Sequence, residues 1–184
     1  MALHPEYQLL AQKEIDRVVG SERLPDYGDK EKLPFVNALL AETLRWNPVT
    51  PLALDHRALY DDKYQGYRIP AGAKVVGNAW AALHDESLYG PDPLDFNPNR
   101  FIRQDGQQPP SPELIAFGFG LRICPGRYLA LNTAYLTMAH LLSTFTIAKA
   151  VDNEGNEVQP RVEYSPTLIS HPLPFQCRFI PRRP

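Results

Sequence analysis

The residues best suited to chemistry lie in one short stretch, residues 117–126, with the sequence FGFGLRICPG. Two glycines free the backbone before Arg122, and Cys124 follows shortly after. Pro125 is typical of a first helical position, so the pattern predicts a thiol at the start of a helix. A helix start and a guanidinium both favour thiolate over thiol. Such a thiolate is suited to act as a nucleophile or to bind a soft metal. A small buried cysteine in a glycine-rich turn is the alternative.

Three charged residues form a second candidate group. Glu42 and Arg45 are the only charges in the nearly apolar segment 35–46, and their spacing puts them on one side of a helix. An unpaired buried charge costs several kcal/mol, so we predict an ion pair between them; an exposed pair is the alternative. Arg100, in a proline-rich segment, is the candidate third member.

The composition is that of an ordinary globular domain: 184 residues, 43% hydrophobic and 22% charged. A net charge of −2 without a basic run excludes nucleic acid as an expected partner. The two cysteines, Cys124 and Cys177, lack the spacing of a zinc site, and a disulfide between them is the less favoured alternative. We find no signal peptide and no membrane anchor, which predicts a soluble, intracellular chain.

The pattern predicts a mainly α protein with small β-sheets. Long helices are expected at 6–19, 34–47 and 125–145, the last buried on more than one side. A turn is expected at 61–63 and helical turns at 79–83. Residues 89–112 are expected to be irregular, with 104–111 exposed and mobile. Short strands are expected at 54–59, 64–69, 74–77, 146–150, 161–164 and 175–180.

In order and spacing, three motifs resemble the signatures of the cytochrome P450 family. They are Glu42-Thr43-Leu44-Arg45, Pro98-Asn99-Arg100-Phe101 and the 117–126 loop, which match the ExxR helix, the PxRF segment and the FxxGxRxCxG haem-binding loop. Asn99 and Leu121 depart from common family residues without removing a defining group. Two further segments, Trp80-Ala81-Ala82-Leu83-His84-Asp85 and Ser170-His171-Pro172, are similar to those of fungal family members that act in secondary metabolism.

The resemblance runs over residues 1–184 and implies the C-terminal portion of the cytochrome P450 fold. That portion is a partial domain with the ExxR helix, the proline-rich meander, the haem-binding loop, the last long helix and terminal β-hairpins. The resemblance also implies that the N-terminal part of the family domain, with the helix that delivers protons to bound oxygen, is absent from this sequence.

The resemblance assigns roles residue by residue. It implies that Cys124 is the catalytic thiolate and metal ligand of haem b, and that Glu42, Arg45 and Arg100 form a buried structural triad. The other implied haem-binding residues are Arg122, Arg57, Phe117, Gly120 and Gly126. The implied substrate-pocket residues, from segments 49–52 and 167–169, are Val49, Thr50, Leu52, Leu168 and Ile169.

The implied function is that of a haem-thiolate monooxygenase segment. Its parent protein would oxidise a small apolar substrate with O2, using electrons from NADPH through NADPH-cytochrome P450 reductase. A full-length relative would lie at the endoplasmic reticulum membrane. Two alternatives stay open: a haem-thiolate isomerase or dehydratase, and a truncated, non-catalytic fragment from a split gene model or a decayed copy.

Overall fold

Within residues 1–102 and 108–182, which the computed structural model describes, the chain forms six α-helices and seven short strands. The helices are α1 Pro5–Val18, α2 Pro34–Trp46, α3 Ala79–Leu83, α4 Glu86–Tyr89, α5 Glu113–Ala116 and α6 Arg127–Thr144. The strands are β1 His56–Arg57, β2 Asp62–Tyr64, β3 Tyr67–Ile69, β4 Lys74–Val75, β5 Phe145–Val151, β6 Glu157–Val158 and β7 Cys177–Pro181. Short 3₁₀ helices span Tyr27–Lys32, Pro98–Phe101 and Gly120–Arg122. The predicted mainly α class with small sheets is confirmed.

The core lies between α1, α2 and α6. Each contributes apolar side chains at helical spacing, and the 3₁₀ helix at Tyr27–Lys32 leads into the same cluster. Its buried members are Ala11, Ile15, Leu33, Phe35, Val36, Leu39, Leu40, Tyr135, Ala139 and Leu142. Since α2 lies at the centre of this cluster, the charged residues on it have a rigid support.

Glu14 of α1 caps the N-terminus of α2. Its carboxylate accepts hydrogen bonds from the backbone N–H of Phe35 at 3.0 and 2.9 Å and from that of Val36 at 3.1 Å. These N–H groups have no partner within the helix, and the helix dipole favours a negative charge there. The cap therefore fixes the start of α2 against α1.

Three small antiparallel sheets complete the fold: β1–β4, β2–β3 and a three-stranded sheet of order β6-β5-β7. The third sheet is tied to α1 by two buried glutamines. Gln8 donates to the carbonyl of Ile147 at 3.1 Å and accepts from its N–H at 2.7 Å. Gln12 donates to the carbonyl of Phe145 at 3.0 Å. These amides pair backbone groups of β5 that another strand would otherwise satisfy.

Several predicted β-segments are wrong in detail. The predicted strand 64–69 contains the turn of the β2–β3 hairpin, and the predicted turn at 61–63 overlaps β2. Gln65 and Gly66 have φ of 47° and 89°, and a two-residue hairpin turn of type I′ requires two positive values. The predicted strand 161–164 forms only an isolated bridge between Tyr164 and Pro172. The predicted strand 54–59 shrinks to β1, and 74–77 to β4.

The last long helix also differs from the prediction. It begins at Arg127, because residues 125 and 126 form a turn before it. Its C-terminal half is buried at Tyr135, Ala139 and Leu142, whereas Leu129 is 73% exposed. The prediction of burial on more than one side is therefore wrong for its N-terminal half, where the residues that the structure describes leave the apolar face open.

Two further expectations concern the exposed stretch 104–111 and the lack of a membrane anchor. Residues 104–107 of that stretch lie outside the described residues. Among the helices formed by the described parts of the chain, none is both long and apolar enough to cross a membrane.

Candidate functional site

The first group of candidate residues is a buried ion pair on α2. Arg45 donates to both oxygens of Glu42, from Nε at 2.7 Å and from Nη2 at 2.9 Å, and both side chains are fully buried. The backbone N–H of Asn97 donates to Oε1 of Glu42 at 2.6 Å. Two-pronged pairing with a further N–H satisfies this carboxylate well enough to offset much of the cost of burial. Sequence reasoning missed Asn97, since a backbone donor leaves no signal in residue type.

The remaining donors of Arg45 bind backbone carbonyls beyond α2. They belong to Leu83 at 3.0 Å, Pro93 at 2.7 Å and Asp95 at 3.1 Å. One guanidinium thus joins α2, the end of α3 and the proline-rich segment. A buried arginine with its donors satisfied in this way acts as a structural clamp.

Arg100 is brought to the same carboxylate and is also buried. Its Nε lies 3.7 Å from Oε1 of Glu42, an ion-pair distance longer than a hydrogen bond. Its terminal nitrogens bind carbonyls of a single turn-rich segment: Tyr89 at 3.0 Å, Pro91 at 2.6 Å, Asp92, and Asp95 at 3.4 Å. The structure therefore brings together all three residues predicted as a structural triad.

Tyr89 packs against this cluster without adding a charge to it. Its ring lies 5.8 Å from the guanidinium of Arg45. Burial raises the pKa of Tyr89 to about 12, so its hydroxyl stays neutral at physiological pH. Glu42 is therefore the negative group that faces both arginines.

The second group is the loop of residues 117–126. Its two ends are joined by a hydrogen bond from the N–H of Cys124 to the carbonyl of Phe117 at 2.8 Å. Gly118 and Gly120 have φ of 86° and 58°, a region that other residues adopt only with strain. The glycines thus allow the tight course that returns the cysteine to the start of the loop.

Cys124 carries a free, half-buried thiol, and Cys177 is also free. The carbonyl of Cys124 accepts from the N–H of Arg127 at 3.3 Å, just before α6 begins. Gly126 leaves room beside the sulfur, because a Cβ there would meet Sγ at 3.8 Å and nothing closer. The expected position of the thiol near a helix start is reproduced, with α6 beginning two residues later than predicted.

Two arginines predicted to bind haem carboxylates lie on separate elements. Arg57 is on β1, and Arg122 ends the 3₁₀ helix within the 117–126 loop. Both side chains are exposed, and neither makes a hydrogen bond or ion pair with any residue in the described ranges. Two guanidinium groups without partners in the described part of the chain are available for an anionic ligand.

The two segments predicted to contact substrate run side by side. The N–H of Ser170 donates to the carbonyl of Val49 at 2.7 Å, which joins segment 49–52 to the end of segment 167–169. Their apolar side chains are exposed, with Leu52 at 54% and Leu168 at 61%. Together with Ile169 and the half-buried Thr50, they present an apolar surface to solvent.

An apolar cleft of about 440 Å³ lies next to this surface. Val49 lines it, whereas the other four predicted pocket residues are not among its lining residues. Its main apolar and aromatic walls are Leu3, Trp46, Phe96, Met138, Val162, Tyr164 and Phe175. The structure thus brings the two predicted segments together and puts only one of the five predicted side chains into the cleft.

The residues around Cys124 fit the haem that the resemblance implies. A free, half-buried thiol is the donor that thiolate ligation requires. The exposed guanidinium groups of Arg57 and Arg122 suit the two carboxylates of a haem. Gly126 leaves space beside the sulfur into which a flat ligand can approach.

Comparison with known proteins points to the family that the sequence motifs resemble. The family model described as Cytochrome P450 matches residues 1–179. A cytochrome P450 monooxygenase of Armillaria gallica is 52% identical over 182 residues, which are 99% of this chain and 35% of that protein. Cytochrome P450 monooxygenase 98 of Postia placenta is 48% identical over 184 residues, 97% of this chain and 35% of that protein. A relative from Ampulloclitocybe clavipes is 46% identical over 183 residues, 99% of this chain and 34% of its own length.

A solved structure is similar over the same part. It is a zebra fish cytochrome P450 determined with abiraterone, with a TM-score of 0.84 and 30% identity, covering 98% of this chain and 40% of that one. The expected partial fold and the similarity to fungal members are confirmed. The chain spans about 35% of the length of the relatives it matches.

Proposed function

Because the chain belongs to the cytochrome P450 family, we propose that it holds the haem of a haem-thiolate monooxygenase from the thiolate side. The observation that carries the proposal is the 117–126 loop. There, a backbone hydrogen bond joins Cys124 to Phe117, and Gly118 and Gly120 adopt positive φ. Together they present a free thiol beside open space. The implied reaction inserts one oxygen atom of O2 into an apolar small molecule, with electrons from NADPH through a reductase.

Each residue of the site has a defined task in this proposal. Cys124 ligates the iron of haem b through its thiolate, while Arg57 and Arg122 bind the two haem carboxylates. Phe117 flanks the thiolate, and Gly120 and Gly126 let the backbone come close to the ring. When bound, the haem supplies the activation of molecular oxygen, which a thiolate ligand favours by donating electron density to iron.

Glu42, Arg45 and Arg100 serve this site without touching the reaction. They join α2 to the end of α3 and to the proline-rich segment that precedes the loop. Their hydrogen bonds make that irregular backbone a fixed support. Their loss should therefore impair folding and haem loading rather than the chemical step.

The substrate is proposed to be small and apolar. The support is the exposed apolar surface formed by Val49, Leu52, Leu168 and Ile169, with Thr50 beside it. Two adjacent segments with apolar side chains can bury a hydrocarbon ligand and offer few polar groups to orient it. The relatives are about three times as long as this chain. The identity of the substrate therefore depends on the parent protein as a whole.

The parent protein as a whole is proposed to receive electrons from NADPH-cytochrome P450 reductase at the endoplasmic reticulum membrane, within secondary metabolism. A second candidate function for this chain alone is non-catalytic. The exposed N-terminal half of α6, where Leu129 is 73% exposed, favours this second candidate. Apolar surface of this kind is normally packed against another part of a catalytically active domain.

A carbon monoxide spectrum tests the proposal. The chain is expressed with haem supplied, reduced, and exposed to carbon monoxide. We expect the red-shifted Soret band of thiolate ligation in the original chain and in Cys177→Ala, and its loss in Cys124→Ala. A folded sample without this band would contradict the proposal and favour the non-catalytic candidate. A band that persists in Cys124→Ala would contradict the assignment of Cys124 as the haem ligand.

A further inference from the structure

Phe119, in the middle of the 117–126 loop, lies directly against Gly77. A Cβ placed on Gly77 would stand 2.3 Å from Cε2 of the ring, 2.9 Å from Cδ2 and 3.3 Å from Cζ. Two of these distances are below 3.0 Å, which real Cβ atoms essentially never show, so any side chain at position 77 displaces the ring of Phe119, which is 36% exposed.

The backbone of Gly77 does not itself require glycine. Gly118 and Gly120 have positive φ, whereas Gly77 is not among the residues with positive φ. The φ of Gly77 lies outside the left-handed region that favours glycine, so φ does not itself require this residue type. The reason for glycine at position 77 is therefore the aromatic ring of Phe119.

This contact joins the two elements that carry the proposed haem anchors. Gly77 follows β4 after one residue, and β4 pairs with β1 in the register Arg57↔Lys74. Phe119 belongs to the loop that carries Cys124. The ring on Gly77 thus connects the β1–β4 sheet, which carries Arg57, to the loop of the thiol.

We infer that Phe119 is a positioning residue, whose ring on Gly77 sets the spacing between Cys124 and the strand of Arg57. This inference rests on the proposed function. A porphyrin ring is rigid, so the residues that would hold its iron and its carboxylates must stand within a limited range of separations. The glycines on either side of Phe119 make the loop backbone permissive, and the ring contact removes that freedom.

The test is a double-mutant cycle on these two positions. Gly77→Ala and Gly77→Val add a side chain beneath the ring, Phe119→Ala removes the ring, and the combined variants do both. We expect Gly77→Val to raise the haem concentration at half-saturation on the order of tenfold, because overpacking of this size displaces the loop. In the Phe119→Ala background, the same change at position 77 should have little further effect, since the space is empty.

A second readout needs no haem. Hydrogen exchange of residues 117–126 in the haem-free chain should be faster in Gly77→Val and in Phe119→Ala than in the original chain. Exchange in α1 and α2 serves as the folding control and should stay unchanged. Gly77→Ala is the milder variant if Gly77→Val fails to fold.

The outcomes separate the inference from the proposed function. If the original chain gives the thiolate band but Gly77→Val changes neither haem titration nor exchange, the inference is wrong and the proposed function stands. An equal loss of haem affinity from Gly77→Val in the original chain and in the Phe119→Ala background would also overturn the inference. If the original chain gives no thiolate band, the proposed function fails, and the inferred haem role of Phe119 falls with it; the exchange data then report only on loop packing.

Discussion

Arg100 lies beside Glu42 without hydrogen-bonding to it: its Nε stands 3.7 Å from Oε1 and is buried without a hydrogen-bond partner among the described residues. Arg45 instead forms a two-pronged pair with the same carboxylate. The two arginines therefore have different tasks. Arg45 neutralises the carboxylate and ties α2 to other elements, whereas Arg100 gathers the carbonyls of residues 89–95.

Removing the charge of Glu42 should be strongly destabilising. In Glu42→Gln, Arg45 stays buried without a counter-ion, which typically lowers the free energy of unfolding by about 3–5 kcal/mol. Urea denaturation followed by circular dichroism measures the change. Asp61→Asn is the control, because it breaks an ion pair with Arg68 whose side chains are 58% and 76% exposed. That exposed pair should contribute little to the free energy of unfolding. Similar losses in both variants would contradict the buried role of Glu42.

Two glycines of the loop should respond differently to alanine. Gly120 has a φ of 58°, so Gly120→Ala should cost about 1–2 kcal/mol of stability through backbone strain. Gly126 has a φ of −83°, and a Cβ there would meet only Sγ of Cys124, at 3.8 Å. Gly126→Ala should therefore change the free energy of unfolding by less than about 0.5 kcal/mol. Its effect should appear in haem titration, as weaker binding. Unchanged haem affinity would show that the glycine is not needed for approach of the ring.

The sequence predicted the parts of the fold that have strong local patterns. The helices α1, α2 and α6 follow from apolar periodicity, and the grouping of Glu42, Arg45 and Arg100 follows from motif resemblance. The β2–β3 turn was misplaced because Gln65-Gly66 is a less distinctive turn pair than Asn-Gly. The burial of α6 was overestimated because periodicity identifies an apolar face but not what covers it.

Contacts that depend on tertiary structure left no signal in the sequence. The glycine at position 77 gives no hint in the sequence that Phe119 lies on it, since the two residues are far apart in the chain. Likewise, Glu14 looks like an exposed helical charge until α2 is placed against it. Such pairs, far apart in the chain, become visible only once the packing is known.

Gln8 should contribute more to stability than its neighbour Gln12. Gln8 is 2% exposed and satisfies both the N–H and the carbonyl of Ile147, whereas Gln12 satisfies the carbonyl of Phe145. An unsatisfied buried polar group costs about 1–3 kcal/mol. Gln8→Met should therefore lower the free energy of unfolding by about 2–4 kcal/mol and Gln12→Met by roughly half as much.

Urea denaturation ranks the two variants, and hydrogen exchange at Ile147 reports the lost bond directly. Faster exchange at Ile147 is expected in Gln8→Met and not in Gln12→Met. Equal destabilisation with no change in exchange at Ile147 would show that the amide of Gln8 is not what holds β5 to α1.

Asp29 should make stability depend on pH in the acid range. Arg23 binds both of its oxygens, at 2.6 and 2.7 Å, and lowers the pKa of Asp29 from 3.8 to about 2. A folded-state pKa below the unfolded value means that the stabilisation is complete above the unfolded pKa. It is then lost as pH falls toward the folded pKa. Because Arg23 is 47% exposed, solvent screening limits the contribution to about 1 kcal/mol.

Asp29→Asn should therefore differ most from the original chain at neutral pH. The difference in free energy of unfolding should stay constant down to about pH 5 and shrink between about pH 4 and pH 2, as the original chain takes up its proton. Urea denaturation across this range measures it, with Asp62→Asn, an exposed residue of β2, as the control. A difference that grows with acidity would mean that Asp29 is stabilised in its protonated form, and the pairing with Arg23 would not be the source of its low pKa.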